Sequence, residues 1–158
     1  MVVRDEVVTA QGPAGGQALF ARLAGSDATP TVPGGNSFAP ERFFPPCPGY
    51  RFIIFSVAPE KTLTGPDAYA SLRVAVPGLG GVPEDSTPGM HATNTVDVVL
   101  VLHGRVSMVL DNSQVVELEA GDTVIQNGTR HAWHNYGDTP CTMAAVLIGA
   151  ERAAQPVR

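Results

Sequence analysis

The chain lacks the marks of several large protein classes. Its 158 residues contain no cluster of Lys or Arg and carry a formal net charge of −5. That excludes the basic footprint a nucleic-acid partner requires. No apolar run approaches the ~20 residues that cross a bilayer, so no membrane partner is expected. The opening MVVRDEVVTA has no apolar stretch of the signal-peptide kind. These absences predict a soluble, cytoplasmic protein. With only two cysteines, Cys47 and Cys141, there is no disulfide framework, and both are expected to be reduced thiols with structural roles. Helical periodicity is nearly missing. Even GGQALFARLAG (15–25) makes no sustained stripe and reads as a strand. Of the catalytic signatures, GxSxG, the P-loop and GxGxxG are all absent, and Cys141 has no base partner nearby in sequence.

What is present is punctuation. Seventeen glycines and fourteen prolines divide short apolar runs, the pattern of an all-β chain. One domain is the expectation over 1–158: an N-terminal strand and arm over 1–48, then a barrel over 50–150. Within the arm, 26–48 holds six prolines and is expected to lie extended over the body, anchored by Phe43 and Phe44. Strands are predicted at 50–57, 69–76, 97–102, 105–110, 114–118, 122–126, 131–135 and 142–148. Tight turns are expected at 103–104, 111–112 and 120–121. So many short strands with such turns read as a sandwich or small barrel.

Two segments carry the chemistry, PGMHATNTVDVVLVLHG and GDTVIQNGTRHAWHN. Their His91, Asp97 and His131 make two imidazoles and a carboxylate, the ligand set of an open metal site. Six residues of extended strand cover about 20 Å, so His91 and Asp97 can share one ion only if the chain turns over 92–95. Asp97 then opens an apolar strand, where an unpaired carboxylate is costly; a metal, His91 or a substrate group could each be its partner. His91 and His131 could otherwise be polar core residues bonded to backbone. Thr93 is a poor neutral ligand, better suited to bonding a ligand side chain, holding a water or capping the turn. Residues 131, 133 and 135 share a strand face, which puts Trp133 and Asn135 beside His131. Trp133 reads equally as core or as pocket wall, and Asn135 as a strand-pinning group. Gln126 could line the cavity. His134 should face away, and His103 belongs to a solvated turn.

These two segments together resemble the cupin superfamily. The first cupin motif runs Gly, five residues, His-x-His, three or four residues, Glu, six residues, Gly. Here His91 matches the first histidine, Thr93 replaces the second, Asp97 replaces the glutamate and Gly104 closes the motif, although Gly89 stands only two residues before His91. In the second motif Gly121 matches the opening, 127–129 the turn, and His131 with Asn135 the end. The phrase GDTVIQNGTRHAW…N is similar to a small cupin subfamily whose first motif is His-x-Thr-x-Thr-x-Asp, where the threonine and aspartate are usual.

The resemblance implies a jelly-roll-like antiparallel β-sandwich closed into a barrel, a homodimer, and an arm that packs on or swaps with a partner. It also implies a metal-dependent enzyme of small-molecule metabolism: an isomerase, cyclase, decarboxylase or dioxygenase. In that reading His91, Asp97 and His131 hold Mn, Fe, Ni or Zn with no organic cofactor, and His131 and Asp97 serve catalysis. Thr93, Trp133, Gln126 and Asn135 contact a carbonyl- or carboxylate-bearing, aromatic or polyketide-like substrate. The alternative is a metal-free binding or regulatory cupin, and a third reading is metal-free acid–base catalysis by His131 and Asp97.

Overall fold

Alternation of apolar and small or polar residues, the period-2 signature of a strand, governs most of the chain. The computed structural model describes residues 18–39, 41–63, 76, 78 and 89–153. Within them run β1 (Ala18–Ser26), β2 (Tyr50–Val57), β3 (Thr95–His103), β4 (Arg105–Leu110), β5 (Val115–Glu119), β6 (Thr123–Asn127), β7 (His131–His134) and β8 (Cys141–Gly149). The strand expected over 69–76 lies, apart from Val76, outside the described residues. No helix among those described is long and apolar enough to cross a membrane.

The strands form an antiparallel five-stranded sheet in the order β1-β2-β8-β3-β6 and a three-stranded sheet in the order β5-β4-β7. Inward residues of the first sheet, such as Ile53, Val99, Val101 and Met143, meet Val106, Met108 and Leu118 of the second. The sequence-based expectation of a jelly-roll-like barrel is met.

The tight turns expected at 103–104 and 120–121 are present, and they join strands of different sheets, β3 to β4 and β5 to β6. They are corners at which the chain changes sheet. Hairpins and corners both need positive φ, so the same residues signal either. Gly104 has φ +86°, and a Cβ there would meet the Pro140 carbonyl oxygen at 2.9 Å. Only the turn over Asp111–Ser113, with Asn112 at φ 61°, joins two paired strands, β4 and β5.

The proline-rich segment between β1 and β2 is pinned as its aromatic residues predicted. Phe43 is buried in the core, edge-on to Phe20 and Phe44. Arg51 supplies the second anchor. Its side chain is fully buried, pairs with Asp27, and donates to the carbonyls of Ser26 and Tyr50 at 2.9 Å each. Phe38 lies against the guanidinium, 4.5 Å from carbon to ring centroid. A buried cation is tolerated only with such partners.

Candidate functional site

At one end of the barrel interior the inward residues stop being apolar. Along β3 the inward positions run Thr95, Asp97, Val99, Val101, and all four are buried. Asp97 faces Gln126 of β6 on one side and Leu147 of β8 on the other. Gln126, itself buried, donates through Nε2 to Met108 Sδ and so ties the two sheets together at this level.

His91 reaches the same end by edge pairing. Its N–H donates to the His131 carbonyl and the His131 N–H to the His91 carbonyl, both at 2.9 Å, which extends the three-stranded sheet beyond β7. The chain then bends at Asn94 and enters β3, so the turn expected over 92–95 is present. The imidazole centroids stand 4.6 Å apart at a 49° tilt. Each ring is held in the same way: Nδ1 of His91 lies 2.8 Å from the Gly89 carbonyl, and Nδ1 of His131 lies 2.8 Å from the Thr129 carbonyl. A carbonyl only accepts, so in a neutral ring Nδ1 carries the proton and Nε2 the lone pair.

Burial governs the titration of this cluster. Asp97 is pushed up to about 6, first by loss of solvent, while the Thr95 hydroxyl works in the opposite direction by favouring the carboxylate. Its Oδ1 has no hydrogen-bond partner. Thr93 and Thr95 share a hydroxyl–hydroxyl bond of 2.7 Å. With Thr95 donating to Asp97, the proton between the two threonines belongs to Thr93, and both hydroxyls point their dipoles towards the carboxylate. His131 is driven down to about 4, by burial and then by the neighbouring His91, with the Thr129 carbonyl opposing. At neutral pH it is an uncharged imidazole.

Trp133 follows His131 on the inward face, edge-on to its ring at 5.6 Å, and closes against Phe55 at 6.4 Å. It is half-buried and packs against the apolar core. His134 faces the other way as expected, paired with Glu60 and stacked on Tyr136. Asn135 takes the strand-pinning role expected of it rather than a substrate-contacting one. It donates to the carbonyls of Val57 at 2.8 Å and Thr139 at 2.9 Å, and its Oδ1 accepts from the Gly137 N–H at 2.9 Å. β7 ends at His134, so the face alternation does not reach 135, and the amide is committed to backbone rather than to a substrate.

The two imidazoles are thus brought together. Asp97 is not gathered with them: among the described residues no group of three His, Cys, Asp or Glu side chains is placed to hold a metal ion. Three contributors escaped the sequence reading. Thr95 could have been found from the 93/95/97 alternation. Phe44, 6.3 Å from the His91 ring, was visible only as an arm anchor. Arg152 gave no signal, yet it donates to Asn94 Oδ1 at 2.6 Å and to the carbonyls of Thr93 and Gly128 at 3.3 and 3.4 Å. It staples the loop after His91 to the loop before His131.

Residues 81–148 match the family model described as Cupin domain. That stretch of the chain resembles a cupin domain. Two curated relatives from Diaporthe leptostromiformis, phomopsin biosynthesis cluster proteins C′ and D, are each 39% identical to this chain over 81 residues. Those matches cover 45% of this chain and 43% of each relative, so the chain matches less than half the length of either. Among solved structures, the polyketide cyclase RemF from Streptomyces resistomycificus superposes with a TM-score of 0.53 at 17% identity, over 94% of this chain and 80% of that one. A predicted oxalate decarboxylase from Thermotoga maritima gives 0.50 at 18% identity, over 94% and 98%. At such identities the likeness speaks for the fold alone.

Proposed function

We propose that this chain is a metal-dependent enzyme acting on a small carbonyl- or carboxylate-bearing molecule, aromatic or polyketide-like, at the polar end of its barrel. His91 and His131 would hold a first-row divalent ion (Mn, Fe, Ni or Zn), and Asp97 would add a carboxylate. The observation that carries this reading is the matched pair of imidazoles, each giving its Nδ1 proton to a backbone carbonyl. That second bond is how metal-binding histidines are oriented, with Nε2 left to the ion. The unpartnered Oδ1 of buried Asp97 supports it too, since a cation satisfies what is otherwise a costly carboxylate. A bound ion of this kind supplies Lewis acidity towards a substrate oxygen. The chain's own residues do the rest. Trp133 offers an apolar wall, Gln126 and the Thr93–Thr95 pair fix hydrogen bonds near Asp97, and the phomopsin-cluster relatives support a place in biosynthetic metabolism.

A second reading has its own observation, the lack of a three-residue ligand group among the described residues. It is a metal-free pocket in which the histidines and Asp97 bind a ligand's polar groups, or in which Asp97 and neutral His131 exchange a proton with it. Elemental analysis of untagged protein, with melting curves before and after chelation, separates the two. Near-stoichiometric metal that His131→Ala and His91→Ala each abolish is the expected result. Sub-stoichiometric metal, with a melting temperature unmoved by chelation or by added Mn, Fe, Ni or Zn, rejects the metal reading in favour of the second.

A further inference from the structure

The two stretches of chain that deliver Asp97 and His131 pair, part and pair again. β3 and β6 run as a ladder that ends at Val96 and Asn127. Register pairing between these stretches resumes only at the His91–His131 bridge. The interval holds 92–95 on one side and 128–130 on the other, so the register slips by one residue across it. Both site loops lie in this interval, and a single side chain spans it.

That side chain is Arg152, carried in by the chain that leaves β8. Its Nε donates to Asn94 Oδ1 at 2.6 Å, and one Nη reaches the carbonyls of Thr93 at 3.3 Å and Gly128 at 3.4 Å. The Ala150 N–H holds the Asn94 carbonyl at 2.9 Å from the same side. A guanidinium presents its donors in one rigid plane, so these bonds fix one loop against the other. Gly128 allows the loops to lie this close: its φ is +62°, and a Cβ there would stand 3.0 Å from the Thr93 carbonyl oxygen. From this clamp the site is one short step away on each side. The Thr93 hydroxyl bonds that of Thr95 at 2.7 Å, and Thr95 bonds Asp97. The Thr129 carbonyl, next after Gly128, holds Nδ1 of His131 at 2.8 Å.

We propose that Arg152 is a positioning residue of the candidate site. By forking across Thr93 and Gly128 it sets the spacing between the Asp97 strand and His131, and with it the fit of the site to an ion. Its bonds go to the loops, not to the imidazoles or the carboxylate, so it acts through the backbone. All three acceptors are neutral, which makes the shape of the fork, rather than an ion pair, the source of the effect. A lysine ammonium keeps the charge and loses that shape. The ion-binding part of the proposal rests on the metal reading, whereas the spacing of the loops does not.

Two measurements on the full chain read the loops and the ion separately. In metal-free protein, amide exchange followed by NMR reports the loops. Arg152→Ala and Arg152→Lys should each speed exchange at the His91 and His131 amides about five-fold, while amides of the β2–β8 ladder keep their rates. Titration with cobalt(II) chloride, followed by visible absorption, reports the ion. Both variants should bind cobalt about 10–100-fold more weakly than wild type, the usual cost of losing an outer support of a metal site. The urea midpoint of the metal-free chain should not move. A staple that merely ties down the tail predicts the reverse, a lowered urea midpoint with undiminished cobalt affinity, and that result overturns the proposal. So does unchanged exchange at His91 and His131 in both variants, or an Arg152→Lys chain that matches wild type throughout. A wild-type chain that takes up no cobalt rejects the metal reading instead, and the exchange rates then decide the proposal alone.

Discussion

The two ends of the barrel interior share the same strands and differ in almost everything else. At one end β2, β3 and β8 turn Phe55, Val101, Met143 and Cys141 inward, with Phe43 of the arm packed behind them. Four residues away along β3, the inward position is Asp97, with Gln126 opposite it on β6 and Thr95 next along the same face. The dry end is held by packing and would tolerate no charge. The polar end holds a carboxylate with an orphaned oxygen and a histidine stripped of its ordinary basicity. The contrast teaches that this fold confines its chemistry to one end and draws its stability from the other, so that site substitutions and core substitutions should separate in experiment.

The strongest break in that comparison comes from the dry end. Met143 and Phe43 are 0% and 2% exposed, and truncating either leaves a cavity in a rigid wall. Met143→Ala or Phe43→Ala is expected to destabilise the protein by about 3–4 kcal/mol, within the range of large-to-small core changes, as read by urea denaturation. Asn135 also lies at the dry end, where Val57 pairs with Cys141, and pins β2 to the loop before β8. Asn135→Ala strands the carbonyls of Val57 and Thr139 and the Gly137 amide, a loss of about 2–3 kcal/mol. A substrate-contacting role predicts the opposite, a lost ligand with an unchanged urea midpoint.

The polar end should answer with the other sign. In chelated protein the Asp97 carboxyl titrates near 6 when folded and near 3.8 when unfolded. The folded state therefore binds the proton more readily between those values, and this group's contribution to stability falls as pH rises through that window. Above pH 6 the buried carboxylate is a standing cost, which Asp97→Asn removes. The variant is expected to be more stable than wild type by about 1–2 kcal/mol at pH 8, an advantage that fades below pH 4. His131 works in reverse: with a folded value near 4, it costs stability as pH falls from 6.5 towards 4. That slope is common to both proteins and cancels in their difference. Equal stability of the two at pH 8 would show that Asp97 has a partner in solution.

Much of this was legible in the chain because period-2 alternation is local. β2 matches the expected 50–57, and β3, β5, β6 and β8 fall within two residues of their expected bounds. Asp97 stood out as a carboxylate at the head of an apolar run, and Phe43 as an anchor in a proline-rich arm. What escaped depends on contacts far apart in sequence. Whether Gly104 turns a hairpin or a sheet corner is decided by which partner β4 finds. The His91–His131 bridge joins residues 40 positions apart. Arg51, inside the apolar run YRFIIFSV, is buried because Asp27 and two carbonyls wait for it under the arm. Arg152 contacts both site loops only once β8 has delivered it there.

The smallest expected effect probes the dry end without perturbing it. Both thiols are unpaired, Cys47 exposed on the arm and Cys141 buried at the start of β8. Loss of solvent pushes Cys141 up to about 11, and the thiolate is the reactive form. Burial thus protects it twice, by access and by protonation. Native protein should release one equivalent of thionitrobenzoate from Ellman's reagent at pH 8, from Cys47, and a second only on unfolding. Cys47→Ser should then read zero when folded. A fast second equivalent from native protein would mean that water reaches the Cys141 end, and the division of the interior into a dry and a polar end would fail there. A slow second equivalent, its rate rising with the Met143→Ala cavity, would instead measure how often that end opens.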